Sequence, residues 1–312
     1  MMDGIINVYK EAGFTSHDVV AKLRGILHQK KIGHTGTLDP DATGVLPICV
    51  GKATKVCELL TNEDKSYRAV CQLGVVTDTQ DLSGEVLERH DPTAVTEQML
   101  RDQVQAFQGE IMQVPPMYSA LKVQGKKLYE LAREGKTVER KARKITIKEL
   151  TIVSVDLQSG TFTMDVTCSK GTYIRTLCHD IGQALGCGAA MASLLRTRVS
   201  IFSLDDAWKL TEIQEQMEQG SQSFLQSVDS LFGHLPGMRV VTEEGCKLLD
   251  NGNPLPEECL SQITDNDIGQ KTEDPHIQTD AQSRQILVYD QTGKFRAIYE
   301  KKGRWYRVVK MF

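Results

Sequence analysis

No two of the eight cysteines stand in a CxxC pair, and none is spaced with histidines as zinc ligands are. Scattered at 49, 57, 71, 168, 178, 187, 246 and 259 of 312 residues, they read as reduced core residues, not as a disulfide frame. No hydrophobic run is long enough to span a membrane, and the opening MMDGIINVYK, with an acid at position 3, lacks the form of a signal peptide. The expectation is a cytoplasmic protein without membrane contact. Basic charge is not in excess: 37 Lys+Arg against 41 Asp+Glu leave a net charge of −4. There is no GxSxG elbow, no GxGxxG, no internal repeat and no low-complexity tract. Gly44 to Ala53 resembles a phosphate loop, but six residues separate Gly44 from Gly51 where four are needed, and alanine stands where a metal-binding hydroxyl belongs. Asp78-Thr79-Gln80-Asp81 with Gly84 has the flavour of a calcium loop without its alternating acids, and reads as a hairpin turn. No metal-ligand or nucleotide-binding motif is therefore recognised.

What is present is a folded chain with local charge. Hydrophobic residues make up 40% of it, enough for a sizeable core. Residues 122–148 carry ten Lys/Arg against three Glu, and 294–310 carry seven against Glu300. Residues 243–280 hold ten acids against Lys247 and Lys271. Such segregation presents basic surfaces despite a negative total.

The pattern of elements is mixed. A strand over Ile5–Lys10 precedes a helix that Ser16 can cap, with Val19, Val20, Leu23 and Leu27 on one face. Val45–Val50 reads as a buried strand broken by Pro47, and 53–60, 96–107, 127–135 and 174–185 as helices. Strands are expected at 67–75, 145–156, 161–168 and 199–202, with Phe162, Met164, Val166 and Cys168 alternating. Several strand pairs look like hairpins, which favours an α/β (α+β) fold with a mixed, largely antiparallel central sheet. Gly233-His234-Leu235-Pro236-Gly237 is turn chemistry and a candidate boundary. A catalytic domain is placed at 1–232 and a small β-barrel-like unit at 236–312, containing a helix at 243–249, strands at 285–290, 294–300 and 304–309, and an acidic loop over 255–284.

The segment GHTGTLDPDATGVLP, Gly33 to Pro47, packs three glycines, two prolines, two acids and a histidine into fifteen residues. Pro40 restricts Asp39 to an extended backbone, so a carboxylate is held on a shaped loop. Taken alone, Asp39-Pro40 reads equally as a turn or cap. The whole string is similar to the catalytic motif of the bacterial tRNA pseudouridine synthases of the TruB family. Lys65-Ser66-Tyr67-Arg68-Ala69, Pro115-Pro116-Met117-Tyr118-Ser119-Ala120-Leu121-Lys122, Gly171-Thr172-Tyr173-Ile174-Arg175-Thr176-Leu177 and Leu194-Leu195-Arg196-Thr197 continue the series in order. The resemblance covers essentially the full chain, with a weaker likeness to a PUA RNA-binding domain at the C-terminus. One departure is Lys10-Glu11, where the family usually has Lys-Pro.

The resemblance implies isomerisation of the T-loop uridine of tRNA, position 55 in tRNA numbering, by base flipping and without cofactor. Asp39 is then the catalytic carboxylate, attacking sugar or base or removing a sugar proton. Arg175 is its ion-pair partner, and Tyr67 stacks on the target base and assists proton removal. His34 fills the space of the extruded base, and Tyr173 and Leu195 line the pocket, although Leu194 is equally eligible. The residues alone admit plainer readings: Arg175 as a helix-end surface group, Tyr67 as a half-buried strand aromatic. Lys122, Lys126, Lys127 and Arg143 lead the candidates for phosphate contact, joined by Arg133, Arg140, Lys141 and Lys144, with Lys301, Lys302, Arg304 and Arg307 serving similarly at the tail. The partner is the tRNA T arm, with no obligatory protein partner and a monomeric state. Rival readings are a guide-RNA-dependent relative and an RNA-binding or RNA-folding protein without catalysis.

Overall fold

The computed structural model describes residues 2–123, 125–263 and 283–312. Its centre is a ten-stranded sheet. From one edge the strands run Leu225–Gln226, Gly4–Lys10, Thr43–Val50, Ala189–Val199, Lys65–Leu73, Thr161–Cys168, Arg143–Asp156 and Gly109–Gln113, with Ile32–His34 and Phe202–Ser203 attached beside this path. Among the described residues the strands of this sheet pair antiparallel except where Leu195 and Arg196 run parallel to Thr43 and Gly44, and Val8 and Met191 add isolated parallel bridges to Trp208 and Asp81. The expected mixed, largely antiparallel sheet is borne out.

Alternation builds its core. In Thr161–Cys168 every second residue is buried, and Phe162, Met164 and Val166 are each at most 1% exposed. Burial of such side chains stabilises the fold by roughly 1.5–3 kcal/mol each. Helices Glu97–Ala106 and Ile174–Ala184 cover this face, with Leu100, Val104, Leu177 and Ile181 in the shared cluster. Helices Ser16–Ile26 and Leu210–Glu218 seal a second cluster over Ile6, Val8, Leu46 and Ile48.

Some local expectations change. Thr15, not Ser16, caps the first helix, accepting from Asp18 N at 3.1 Å. Ser16 instead turns inward, where its hydroxyl accepts from Leu38 N at 3.0 Å. Thr43–Val50 passes unbroken through Pro47, whose carbonyl accepts from both Thr35 N and Thr35 Oγ1. The stretch 53–60 divides into a 3-10 turn, Gly51–Val56, and a short helix, Cys57–Asn62. Expected only from 199, the strand in fact spans Ala189–Val199 and lies in the middle of the sheet.

A second sheet of six strands curls into a small barrel-like unit. It is made of Gly237–Val240, Leu255–Pro256, Leu260–Gln262, Gln285–Tyr289, Phe295–Lys302 and Trp305–Met311. Helix Glu243–Asp250 packs on it through Leu249. Of the acidic stretch read over 255–284, residues 264–282 lie outside the described residues.

Candidate active site

Residues 33–44 are tied down at several points. Thr35 bonds the Pro47 carbonyl, Leu38 N bonds the Ser16 hydroxyl, and Ala42 N returns to Asp39 O at 3.1 Å. Lys10, fully buried at the end of its strand, donates to the carbonyls of Pro40 at 2.8 Å, Ala42 at 2.6 Å and Glu11 at 3.0 Å. Burial lowers its amine to about 8, against the favourable charge of Asp39. Gly44 has φ +106, and a Cβ there would stand 2.2 Å from the Arg196 carbonyl, so the parallel contact between the two strands requires glycine.

Asp39 projects from this loop toward Arg175, in the first turn of Ile174–Ala184. Arg175 Nε lies 3.1 Å from Asp39 Oδ2 and Nη2 lies 3.4 Å from Oδ1, a forked contact. The arginine is 6% exposed, whereas the Asp39 side chain keeps 41% of its surface open. Burial pushes the Asp39 carboxyl above the usual carboxylate range, Arg175 pulls it down, and Asp81 pushes it up. Arg175 has other partners. Its Nη1 donates to Thr79 O at 3.1 Å and meets Asp81 Oδ2 at 3.3 Å, and its Nη2 donates to Tyr118 O at 2.9 Å. Asp81 therefore belongs to the site, although the 78–81 segment reads in sequence only as a hairpin turn.

Tyr67 is 8% exposed, in one apolar cluster with Leu38, Ala42, Ile174 and Leu194. Burial raises its hydroxyl to about 12, and the Arg196 guanidinium beside it works in the opposite direction. Arg196 is itself 1% exposed, is the register partner of Tyr67 and donates through Nε to Val45 O at 2.6 Å. A charged residue this deep is invisible in the sequence motif that contains it.

Tyr173 caps the helix of Arg175, with its N and O bracketed by the Gln113 amide at 2.8 and 3.0 Å. Burial raises its hydroxyl, and the charges of Arg143, Arg175 and Asp39 reach it. His34 is half-buried, accepts from Gly36 N through Nδ1 at 3.3 Å and meets His17 edge-on at 5.1 Å. Burial lowers its imidazole, assisted by His17.

The two leucines separate. Leu195 pairs with the exposed Arg68, on the face turned away from Tyr67. Leu194 pairs with Ala69 and is in the Tyr67 cluster. The structure thus brings Asp39, Tyr67, Arg175 and Tyr173 together, sets His34 on the adjoining strand, and puts Leu194, not Leu195, in the Tyr67 cluster.

The basic stretch forms a hairpin, Lys122–Val123 with Lys126–Lys127, then helix Leu128–Arg133. Lys122 and Arg143 are exposed; Lys126 pairs with Glu134 at 3.6 Å, and the half-buried Lys127 donates to Tyr129 Oη at 3.1 Å. At the tail, Lys301 pairs with Glu257 at 2.6 Å and Lys302 with Glu300 at 3.2 Å, while Arg304 and Arg307 are exposed. Among the described residues no cluster of His, Cys, Asp or Glu could hold a metal ion, and no helix is long and apolar enough to cross a membrane.

Residues 24–174 match the family model described as TruB family pseudouridylate synthase (N terminal domain), and residues 175–232 match that of the tRNA pseudouridylate synthase B C-terminal domain. A protein of Lachnoclostridium phytofermentans named tRNA pseudouridine synthase B is 53% identical over 320 residues, covering 100% of both chains. One of the same name from Clostridium tetani is 41% identical over 311 residues, covering 99% of each. Among solved structures, a chain in the crystal structure of a Cbf5-Nop10-Gar1 complex superposes with a TM-score of 0.68 at 26% identity, covering 99% of this chain and 84% of that one.

Proposed function

The chain belongs to the TruB family of pseudouridylate synthases and is an isomerase that makes pseudouridine in tRNA, and on that premise we propose that its target is the T-loop uridine, position 55 in tRNA numbering, with Asp39 as the catalytic carboxylate. The observation that carries the assignment is the Asp39 carboxylate, forked by a buried arginine yet open over two-fifths of its surface.

The chemistry needs little else. The N1–C1′ bond of uridine breaks, the uracil turns, and a C5–C1′ bond forms; the C5 proton is lost and N1 gains one. Substrate and product are isomers, one proton released being balanced by one taken up, so the conversion consumes no co-substrate. Asp39 stands at the glycosidic bond, and Arg175 favours its ionised form against burial. Tyr67 and Leu194 bound the apolar side of the pocket, where a uracil ring stacks and turns. Tyr67 assists removal of the C5 proton, and Tyr173 borders the opposite side.

A stacked uridine has to be extruded before its sugar bond is reached, at a cost of a few kcal/mol. His34, whose neutral form burial favours, offers a stacking and hydrogen-bonding surface in the vacated place. Lys122, Lys126, Lys127 and Arg143 hold phosphates of the T arm, with Arg304 and Arg307 contributing from a C-terminal PUA-like domain, 236–312, beside a catalytic domain, 1–232. The protein acts as a monomer in the cytoplasm, without a protein partner. Identities of 41–53% over essentially the whole chain to proteins named tRNA pseudouridine synthase B favour this reading over guide-RNA dependence.

The test is an unmodified tRNA transcript incubated with the purified protein and mapped by chemical-adduct stops. One new stop at the T-loop uridine is expected. Stops elsewhere, or only when a guide RNA or a second protein is added, contradict the assignment.

A further inference from the structure

Pro115-Pro116-Met117-Tyr118-Ser119 matches a family motif to which neither the resemblance nor the proposed reaction assigns a role. Tyr118, half-buried, reaches the site in two ways. Its carbonyl accepts from Arg175 Nη2 at 2.9 Å, closer than the 3.4 Å from the same nitrogen to Asp39 Oδ1. Its hydroxyl donates to Asp78 Oδ2 at 3.0 Å, at the start of the turn whose Thr79 carbonyl and Asp81 carboxylate hold Arg175 Nη1. One residue therefore clamps both the arginine and the turn that grips its other arm.

The same backbone continues into the basic hairpin. Tyr129 N donates to Ser119 O at 3.1 Å and Leu128 N to Leu121 O at 2.8 Å. A guanidinium is planar, so a shift of the Tyr118 carbonyl re-aims the whole fork at Asp39. Misplacement by about 1 Å near reacting atoms can cost on the order of 10²-fold in rate.

We infer that Tyr118 is a positioning residue that couples the seating of RNA on the basic hairpin to the alignment of Arg175 on Asp39. This rests on the reading of 122–148 as an RNA-contacting surface. The hydroxyl is committed to Asp78 and is not a contact to the RNA.

Tyr118→Phe in the full chain deletes the hydroxyl and keeps the ring and carbonyl, and Asp78→Ala removes the acceptor from the other side. Three quantities are read on a T-arm stem-loop: single-turnover rate at saturating RNA, Kd by filter binding, and the rate between pH 5 and 8. Asp39 faces Arg175 from its helix, Asp81 from the turn, Lys10 from the first strand and Asp41 on its own loop. Loosening Arg175 weakens the largest influence holding the carboxyl down.

Each variant is expected to lose about 10-fold to 100-fold in rate, with Kd within about 2-fold of wild type and the acid limb displaced to higher pH. The double variant should be no slower than Asp78→Ala alone, since both remove the Tyr118–Asp78 bond and Asp78→Ala removes in addition the acceptor of Glu85 N at 2.8 Å. A folded Tyr118→Phe with the wild-type rate and acid limb overturns the inference. So does a loss confined to Kd, or losses that multiply in the double variant. If Tyr118→Phe does not fold, Asp78→Ala decides by the same criteria. Failure of the enzymatic reading looks different, because wild type itself then yields no pseudouridine.

Discussion

Arg175 grips Asp39 with two nitrogens, Nε at 3.1 Å from Oδ2 and Nη2 at 3.4 Å from Oδ1, across 136 positions of sequence. The arginine is the buried member and the aspartate the open one. That asymmetry suits the proposed roles, since the arginine is fixed by Thr79, Asp81 and Tyr118 while the aspartate stays accessible.

Asp81 shares this guanidinium and raises the Asp39 carboxyl by its charge. Activity that needs ionised Asp39 falls as pH drops through its folded pKa, which lies above the ordinary value. In Asp81→Asn the repulsion is gone and Arg175 is left more fully to Asp39, so both changes lower that pKa. The acid limb of the single-turnover rate should move to lower pH, while the plateau drops about 10-fold from poorer orientation. An acid limb that stays in place or moves up contradicts the assignment of the pair.

Lys10→Met leaves the carbonyls of Pro40, Ala42 and Glu11 without their donor, at a cost of about 2–3 kcal/mol. The effect depends on pH. The amine titrates at about 8 in the fold against 10.5 ordinarily, so the folded protein sheds this proton first. The unfolded chain then binds more protons between those values, and stability rises with pH across the window. Urea unfolding at pH 7.5 and pH 10 should show the wild-type advantage over Lys10→Met widening; a constant difference would place Lys10 in an ordinary environment.

Gly44→Ala forces a side chain into left-handed backbone and against the Arg196 carbonyl, 2.2 Å from the new Cβ. Destabilisation of about 2–3 kcal/mol is expected, lowering the thermal midpoint by roughly 5 °C or more. Calorimetry within 1–2 °C of wild type, on the order of measurement error, would mean that the two strands do not meet so closely.

Reversing Lys126 and Lys127 to Glu should weaken tRNA binding and flatten its dependence on salt, because fewer counterions are released. Filter binding from about 50 to 200 mM salt reads both effects. Unchanged affinity and slope would remove the hairpin from the RNA surface.

Asp39, Tyr67, Arg175, Tyr173 and His34 are legible in sequence through the resemblance of the ordered motifs to the TruB family, since each residue alone admits a plainer reading. Asp81 is not, since a turn acid 94 positions from Arg175 carries no local mark of its partner. Leu194 and Leu195 cannot be told apart without the register, which irregularities on either side of them shift. The strand Ala189–Val199 is hidden by alanines and by the absence of clean alternation, and takes its place from the neighbours it pairs with. Lys10 and Arg196 look like surface charges, and only packing reveals that both are buried around the loop.

Asp39→Asn compared with wild type on an unmodified T-arm stem-loop tests the central claim most directly. Wild type should form pseudouridine at the T-loop uridine; Asp39→Asn should bind the same RNA with similar affinity and form none. Product from Asp39→Asn at a comparable rate would show that the catalytic carboxylate lies elsewhere.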